Sequence, residues 1–196
     1  LYYLKQNVIT TSEFMDFGRL YDGELAYLSW VIEELFLALE KQGLTKNTLV
    51  IITSDHGENL GDHGHYTHVF SLYNTTQWVP LIVLDPNEKE PGRRIDALYQ
   101  IQDLFPAILE AAGVDSTTIH HQGIDLFDSA FEAGRDAVYG EYYFPLQVLD
   151  VMLTHGVSEE SIYLEPYMRR LRCVETSGMK LIWGSDGRHE LYLIAE

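Results

Sequence analysis

Residues 49–80 constrain this chain more than any other stretch. An apolar run leads into Thr53-Ser54-Asp55-His56-Gly57-Glu58, then a histidine-dense loop, then a second apolar run entered through Pro80. Val50, Ile51 and Ile52 are β-branched and too few for a helix, so they read as a buried strand. Asp55 and His56 follow that strand directly, and Gly57 frees the backbone to turn. In open α/β sheets, ligands bind beyond the carboxyl ends of the strands. A carboxylate and an imidazole side by side at that place read as two ligands for one divalent metal. His56, His63, His65 and His68, half of the chain's eight histidines, crowd into this one loop.

The flanking sequence supplies the elements of an α/β fold. Leu25, Leu28, Ile32, Leu35 and Leu39 form one apolar stripe at steps of three and four, which predicts a helix over 21–42 with its stripe in the core. Gly43 closes it, and Asn47-Thr48 turns into the strand at Leu49. Val79 to Leu84 reads as a second buried strand, followed by a surface turn from Asp85 to Gly92. A short strand around Ala97 to Ile101 precedes a helix N-capped by Asp103, with Pro106 in its first turn and Gly113 beyond its end. This alternation with short links implies a mainly parallel sheet flanked by helices.

After about residue 114 the pattern changes. Residues 115–135 read as a loop-rich connection, 137–143 as a strand, and 146–170 as irregular and partly helical. Leu171 to Thr176, Met179 to Trp183 and Glu190 to Ile194 then form a small antiparallel sheet with turns at Ser177-Gly178 and Ser185-Asp186-Gly187. The expected organisation is an α/β core over 1–145 and an antiparallel subdomain over 146–196.

Composition excludes some functions. A net charge of −17 argues against binding nucleic acid or an anionic membrane surface, because phosphate contacts need clustered Lys and Arg. The acidity fits simple solubility or a high-salt cytoplasm; the location stays open, with the cytoplasm favoured. No apolar run approaches the roughly 20 residues of a membrane span. The chain opens at Leu1 in structured-looking sequence, which leaves any targeting segment open. One cysteine, Cys173, forbids an internal disulfide, and its alternating surroundings read as a packed thiol. His120, His121, His155 and His189 read as surface residues.

The run Thr53-Ser54-Asp55-His56-Gly57-Glu58 with Gly61-Asp62-His63-Gly64 resembles the sulfatase family of the alkaline phosphatase superfamily. The likeness extends through Tyr21-Asp22-Gly23-Glu24 upstream, and through Ser71-Leu72-Tyr73 with Val79-Pro80-Leu81-Ile82 downstream. It continues at Asp103-Leu104-Phe105-Pro106 with Ala112-Gly113, and at Asp186-Gly187-Arg188 with Glu190-Leu191-Tyr192. Order and spacing together make it specific. Trp78 stands where the family usually has Arg, and Leu193 where Glu-Leu-Tyr is usually followed by Asp.

The resemblance implies an alkaline-phosphatase-like fold and a metal-dependent sulfuric ester hydrolase. It makes Asp55 and His56 metal ligands and His68 the residue that acts on the substrate, with His63 and His65 as supports of the site or ligands of a second metal. The cofactors it implies are one divalent ion and a formylglycine made from Cys or Ser in Cys/Ser-x-Pro/Ala-x-Arg. Cys173-Val174-Glu175-Thr176 does not fit that pattern, so the chain reads as the C-terminal part of such an enzyme, inactive alone. The imidazole leans the metal toward Mn²⁺ or Zn²⁺, with Ca²⁺ and Mg²⁺ open. The expected partner is a small-molecule or glycan sulfate ester, or a phosphate ester. Two other functions stay open: a phosphodiesterase, phosphonate hydrolase or phosphoglycerol transferase of the superfamily, and a non-catalytic metal-binding domain. Glu58 is expected to cap or support the loop.

Overall fold

The structure, a computed structural model, describes residues 10–87, 92–115, 118–127, 135–143, 146–154, 156, 158 and 168–194. His155, part of the turn expected over 85–92 and much of the 146–170 stretch lie outside the described residues. The chain forms two compact units, Leu1–Asn87 with Tyr143–Arg169, and Glu88–Tyr142 with Arg170–Glu196.

In the first unit, helix α1 spans Thr11–Lys41, ten residues longer at its start than the apolar stripe predicts. A capping box sets that start. Thr10 Oγ1 accepts from the Glu13 N–H, and Glu13 Oε2 accepts from the Thr10 N–H at 2.7 Å. The added turns carry Phe14 and Phe17, whose rings pack on Tyr66 at centroid distances of 6.1 and 4.8 Å. The stripe itself is not a core: Ile32 and Leu39 are half-buried, while Leu25, Leu28 and Leu35 are exposed. A helix of this length runs about 46 Å. The unit's two four-residue strands, about 13 Å long, cannot cover it.

Those strands are β1 (Val50–Thr53) and β4 (Leu81–Leu84), and they pair antiparallel with Val50 opposite Leu84. The sequence reading placed both in a mainly parallel sheet, and this pair corrects it. Residues 54–80 are long enough for a parallel crossover, which is usually made by a helix packed on the sheet. The connection here holds only the hairpin β2 (Asn59–Leu60) and β3 (Tyr66–Thr67) and the one-turn helix α2 (Asn74–Gln77). Helix α4 (Leu146–Thr154) completes the unit and gives the expected partly helical stretch its form.

In the second unit, the short strand expected near 97–101 is extended coil ending in a 3-10 turn, Ile101–Asp103, before α3 (Leu104–Ala111). The cause is Asp103, which is fully buried. Its carboxylate accepts from the Gln100 N–H and the Ile124 N–H, each at 2.8 Å, and pairs with the Arg135 guanidinium. The Gln100 N–H, which a strand would offer a neighbour, goes to this side chain instead. Asp103 holds the N-cap position of α3 as expected, but its side chain bonds back to the 3-10 turn and makes no capping bond to the helix.

The small antiparallel sheet forms as expected and gains a strand. Its order is β5 (Val138–Tyr142), β6 (Leu171–Glu175), β7 (Met179–Gly184), β8 (His189–Leu193). One face buries Leu171, Cys173 and Ile182 with the ion pair Lys180–Glu175, 3.1 Å apart.

Candidate metal and substrate site

Strand β1 ends at Thr53, and the next three residues fold into a tight turn held by their own polar atoms. The Ser54 hydroxyl donates to the His56 carbonyl at 2.7 Å, and the His56 N–H donates to Asp55 Oδ1 at 3.0 Å. The His56 ring donates from Nδ1 to the Gly57 carbonyl at 2.9 Å, which leaves Nε2 as the nitrogen with a free lone pair. Asp55 Oδ2 stands 3.7 Å from that nitrogen. Two donors that each sit about 2.0–2.2 Å from one ion have a separation of this order. The Asp55 carboxyl is held below the usual carboxylate range, first by its electrostatic interaction with the adjacent His56 and then by backbone N–H groups. One oxygen and one nitrogen thus converge on solvent at the strand's carboxyl end. Among the described residues no third His, Cys, Asp or Glu completes a cluster.

A second segment is tied against this turn. The Gly57 N–H donates to the Thr76 carbonyl at 2.9 Å. Asn59, with no exposed surface, donates to the Thr67 carbonyl at 2.6 Å and to Ser71 Oγ at 3.1 Å, and accepts from the Thr75 hydroxyl at 2.6 Å. Sequence reasoning missed this clamp, because its partners lie eight to sixteen residues away and carry no periodic signal.

The clamp brings His68 to His56. Their rings stack with centroids 4.1 Å apart and planes at 26°. His68 Nδ1 also lies 3.2 Å from Glu58 Oε2. Thr67 and Phe70, on either side of His68, hold φ of 70° and 69°. For a β-branched or bulky residue this left-handed conformation is strained by about 1–3 kcal/mol, and such strain clusters at ligand sites.

His63 and His65 are brought to Tyr73. The His63 ring stacks on Tyr73 at 3.8 Å, and the His65 ring meets it at 5.6 Å. Of the histidines read as surface residues, His120 and His189 are exposed. His121 is not: it is half-buried, its Nδ1 lies 3.1 Å from the Gly123 carbonyl, and its ring meets Phe105 edge-on.

Three kinds of comparison bear on this arrangement. The family profile described as Sulfatase matches residues 5–114. Arylsulfatase K of Bos taurus is 30% identical over 178 residues, 91% of this chain and 31% of that protein. Among solved structures, the phosphonate monoester hydrolase of Agrobacterium radiobacter superposes with a TM-score of 0.73 at 24% identity, over 94% of this chain and 36% of its own. A protein solved in complex with its substrate D-glucosamine-2-N,6-O-disulfate gives 0.70 at 24% identity, over 97% of this chain and 37% of its own. The chain thus spans about a third of the length of these relatives. The fold is alkaline-phosphatase-like, helices and strands with a small antiparallel sheet. A profile match over more than half of the chain, a span that includes the loop presenting Asp55 and His56, decides the assignment: the chain belongs to the sulfatase family of the alkaline phosphatase superfamily.

Proposed function

We propose that this chain supplies metal-binding and substrate-facing residues of a metal-dependent sulfuric ester hydrolase. The observation that carries the reading is the juxtaposition at the end of β1. Asp55 Oδ2 and His56 Nε2 converge to 3.7 Å, and the His68 ring lies against His56. Asp55 and His56 would hold the divalent ion, and a hard oxygen beside an imidazole suits Mn²⁺ or Zn²⁺. When bound, such an ion neutralises charge on the transferring group and activates a nucleophile. In its doubly protonated form His68 donates a hydrogen bond to an ester oxygen as charge builds on it, passes that proton to the departing alkoxide, and is left as the neutral ring. His63 and His65, gathered on Tyr73, shape the loop between ligand and substrate residues. The nucleophile, a formylglycine in this reading, has no counterpart at Cys173, which is buried and followed by Val174-Glu175.

The substrate class is a sulfated small molecule or glycan, a reading supported by the relative solved with D-glucosamine-2-N,6-O-disulfate. The superposition on a phosphonate monoester hydrolase supports a second reading, phosphonate or phosphate diester cleavage at the same residues. Turnover of matched aryl sulfate and aryl phosphonate monoesters by the protein as the cell makes it separates the two. The first reading expects a higher kcat/KM for the sulfate and loss of that activity on chelation. Phosphonate preference supports the second. No turnover of either, with metal bound, reduces the chain to a metal-binding domain.

A further inference from the structure

Glu58 lies two residues past the Asp55-His56 pair, yet its side chain reaches across the loop to His68, ten positions on. Oε2 and Nδ1 are 3.2 Å apart, and the Glu58 side chain is 27% exposed. A carboxylate oxygen can only accept, so the proton of that contact belongs to Nδ1 of the imidazole. The contact therefore selects one tautomer of the neutral ring and leaves Nε2 as the working atom, the one that takes up and gives back the proton His68 transfers. The stack on His56 fixes the plane of the same ring. A stacked face and one bonded edge together leave little rotational freedom. Asn59, next in sequence, adds a third restraint, since its side chain grips the carbonyl of Thr67 immediately before His68.

We infer that Glu58 is a positioning residue, which holds His68 as its Nδ1–H tautomer and presents Nε2 to the substrate. The step toward substrate rests on the hydrolase reading above; the tautomer does not. Partners that orient a metal-ligating imidazole are worth about 10–100-fold in function when removed, and the same scale is expected for one that orients a substrate-facing ring.

The test uses the 196-residue chain with ¹⁵N-labelled imidazole rings, at about pH 8.5, well above the ordinary imidazole pKa of about 6.5. Long-range ¹H–¹⁵N correlation reads the tautomer, and His68→Ala assigns the signal. Wild type is expected to show Nδ1–H at His68. Glu58→Ala should move it to the Nε2–H form that free imidazole side chains favour, while Glu58→Gln, whose amide oxygen also accepts, should restore Nδ1–H. In the catalytically complete enzyme, Glu58→Ala should lower kcat about 10–100-fold with KM and metal content little changed. An Nε2–H signal in wild type overturns the inference even if the alanine variant fails to fold. So does an unmoved signal in a folded Glu58→Ala. Loss of metal in Glu58→Ala overturns it differently, by making Glu58 a ligand. None of the tautomer results depends on whether the substrate is a sulfate or a phosphonate.

Discussion

Gly57 and Asn59 show how single residues hold the site. A Cβ on Gly57 would stand 2.1 Å from the Thr75 carbonyl oxygen, a backbone atom that cannot swing aside. Gly57→Ala is therefore expected to cost about 1–3 kcal/mol, read by urea denaturation, and to push the Asp55-His56 turn away from the segment that carries His68. Asn59→Leu would strand the Thr75 hydroxyl and the Thr67 carbonyl, at about 1–3 kcal/mol for each group left buried and unpaired. A denaturation midpoint unmoved in Asn59→Leu would show the clamp to be idle. At this scale the sequence was half legible. Asp55 and His56 are adjacent and end a strand, so local pattern finds them. Asn59 and Glu58 act on residues that only the folded hairpin brings near, and no spacing rule marks them.

Elements were legible where their signals are local. The meander β6–β8 follows from alternation and turn glycines, and the start of α3 from Pro106. What failed were partnerships: β1 and β4 run antiparallel, and Asp103 takes the Gln100 N–H of an expected strand. The four-stranded sheet offers two tests. Lys180 and Glu175 face each other on its buried side, so Lys180→Met, which takes the ammonium away from a buried carboxylate, is expected to destabilise by about 3–5 kcal/mol. The double variant Lys180→Met/Glu175→Leu should recover much of that loss in the same denaturation assay. Burial pushes the Cys173 thiol up, partly opposed by the charge of Lys180. A raised folded-state pKa means this group's stabilisation is full below the unfolded thiol's pKa of about 8.5 and fades as pH rises through the folded value. Cys173 should accordingly resist alkylation near neutral pH in native protein and react once unfolded in urea. Rapid alkylation of the folded chain would contradict its packing.

At the scale of the whole molecule, charge and coverage matter most. Thirty acids against thirteen bases repel one another, and if the surface is salt-adapted the melting temperature should climb steeply with molar KCl. A flat melting temperature would leave the acidity to solubility alone. Among the described residues no residue of α1 is buried, and Asp55 and His56 gather no third ligand. The 196-residue chain alone is thus expected to leave aryl sulfates intact, since catalytic units lose most of their rate when any member is absent. Measurable turnover by this chain would overturn that expectation. The most direct measurement is elemental analysis of the protein as the cell makes it, in four forms. Wild type and His68→Ala should each carry a divalent metal in equal amount, whereas Asp55→Asn and His56→Ala should both lose it. Unchanged metal content in Asp55→Asn and His56→Ala would contradict the assignment of this site.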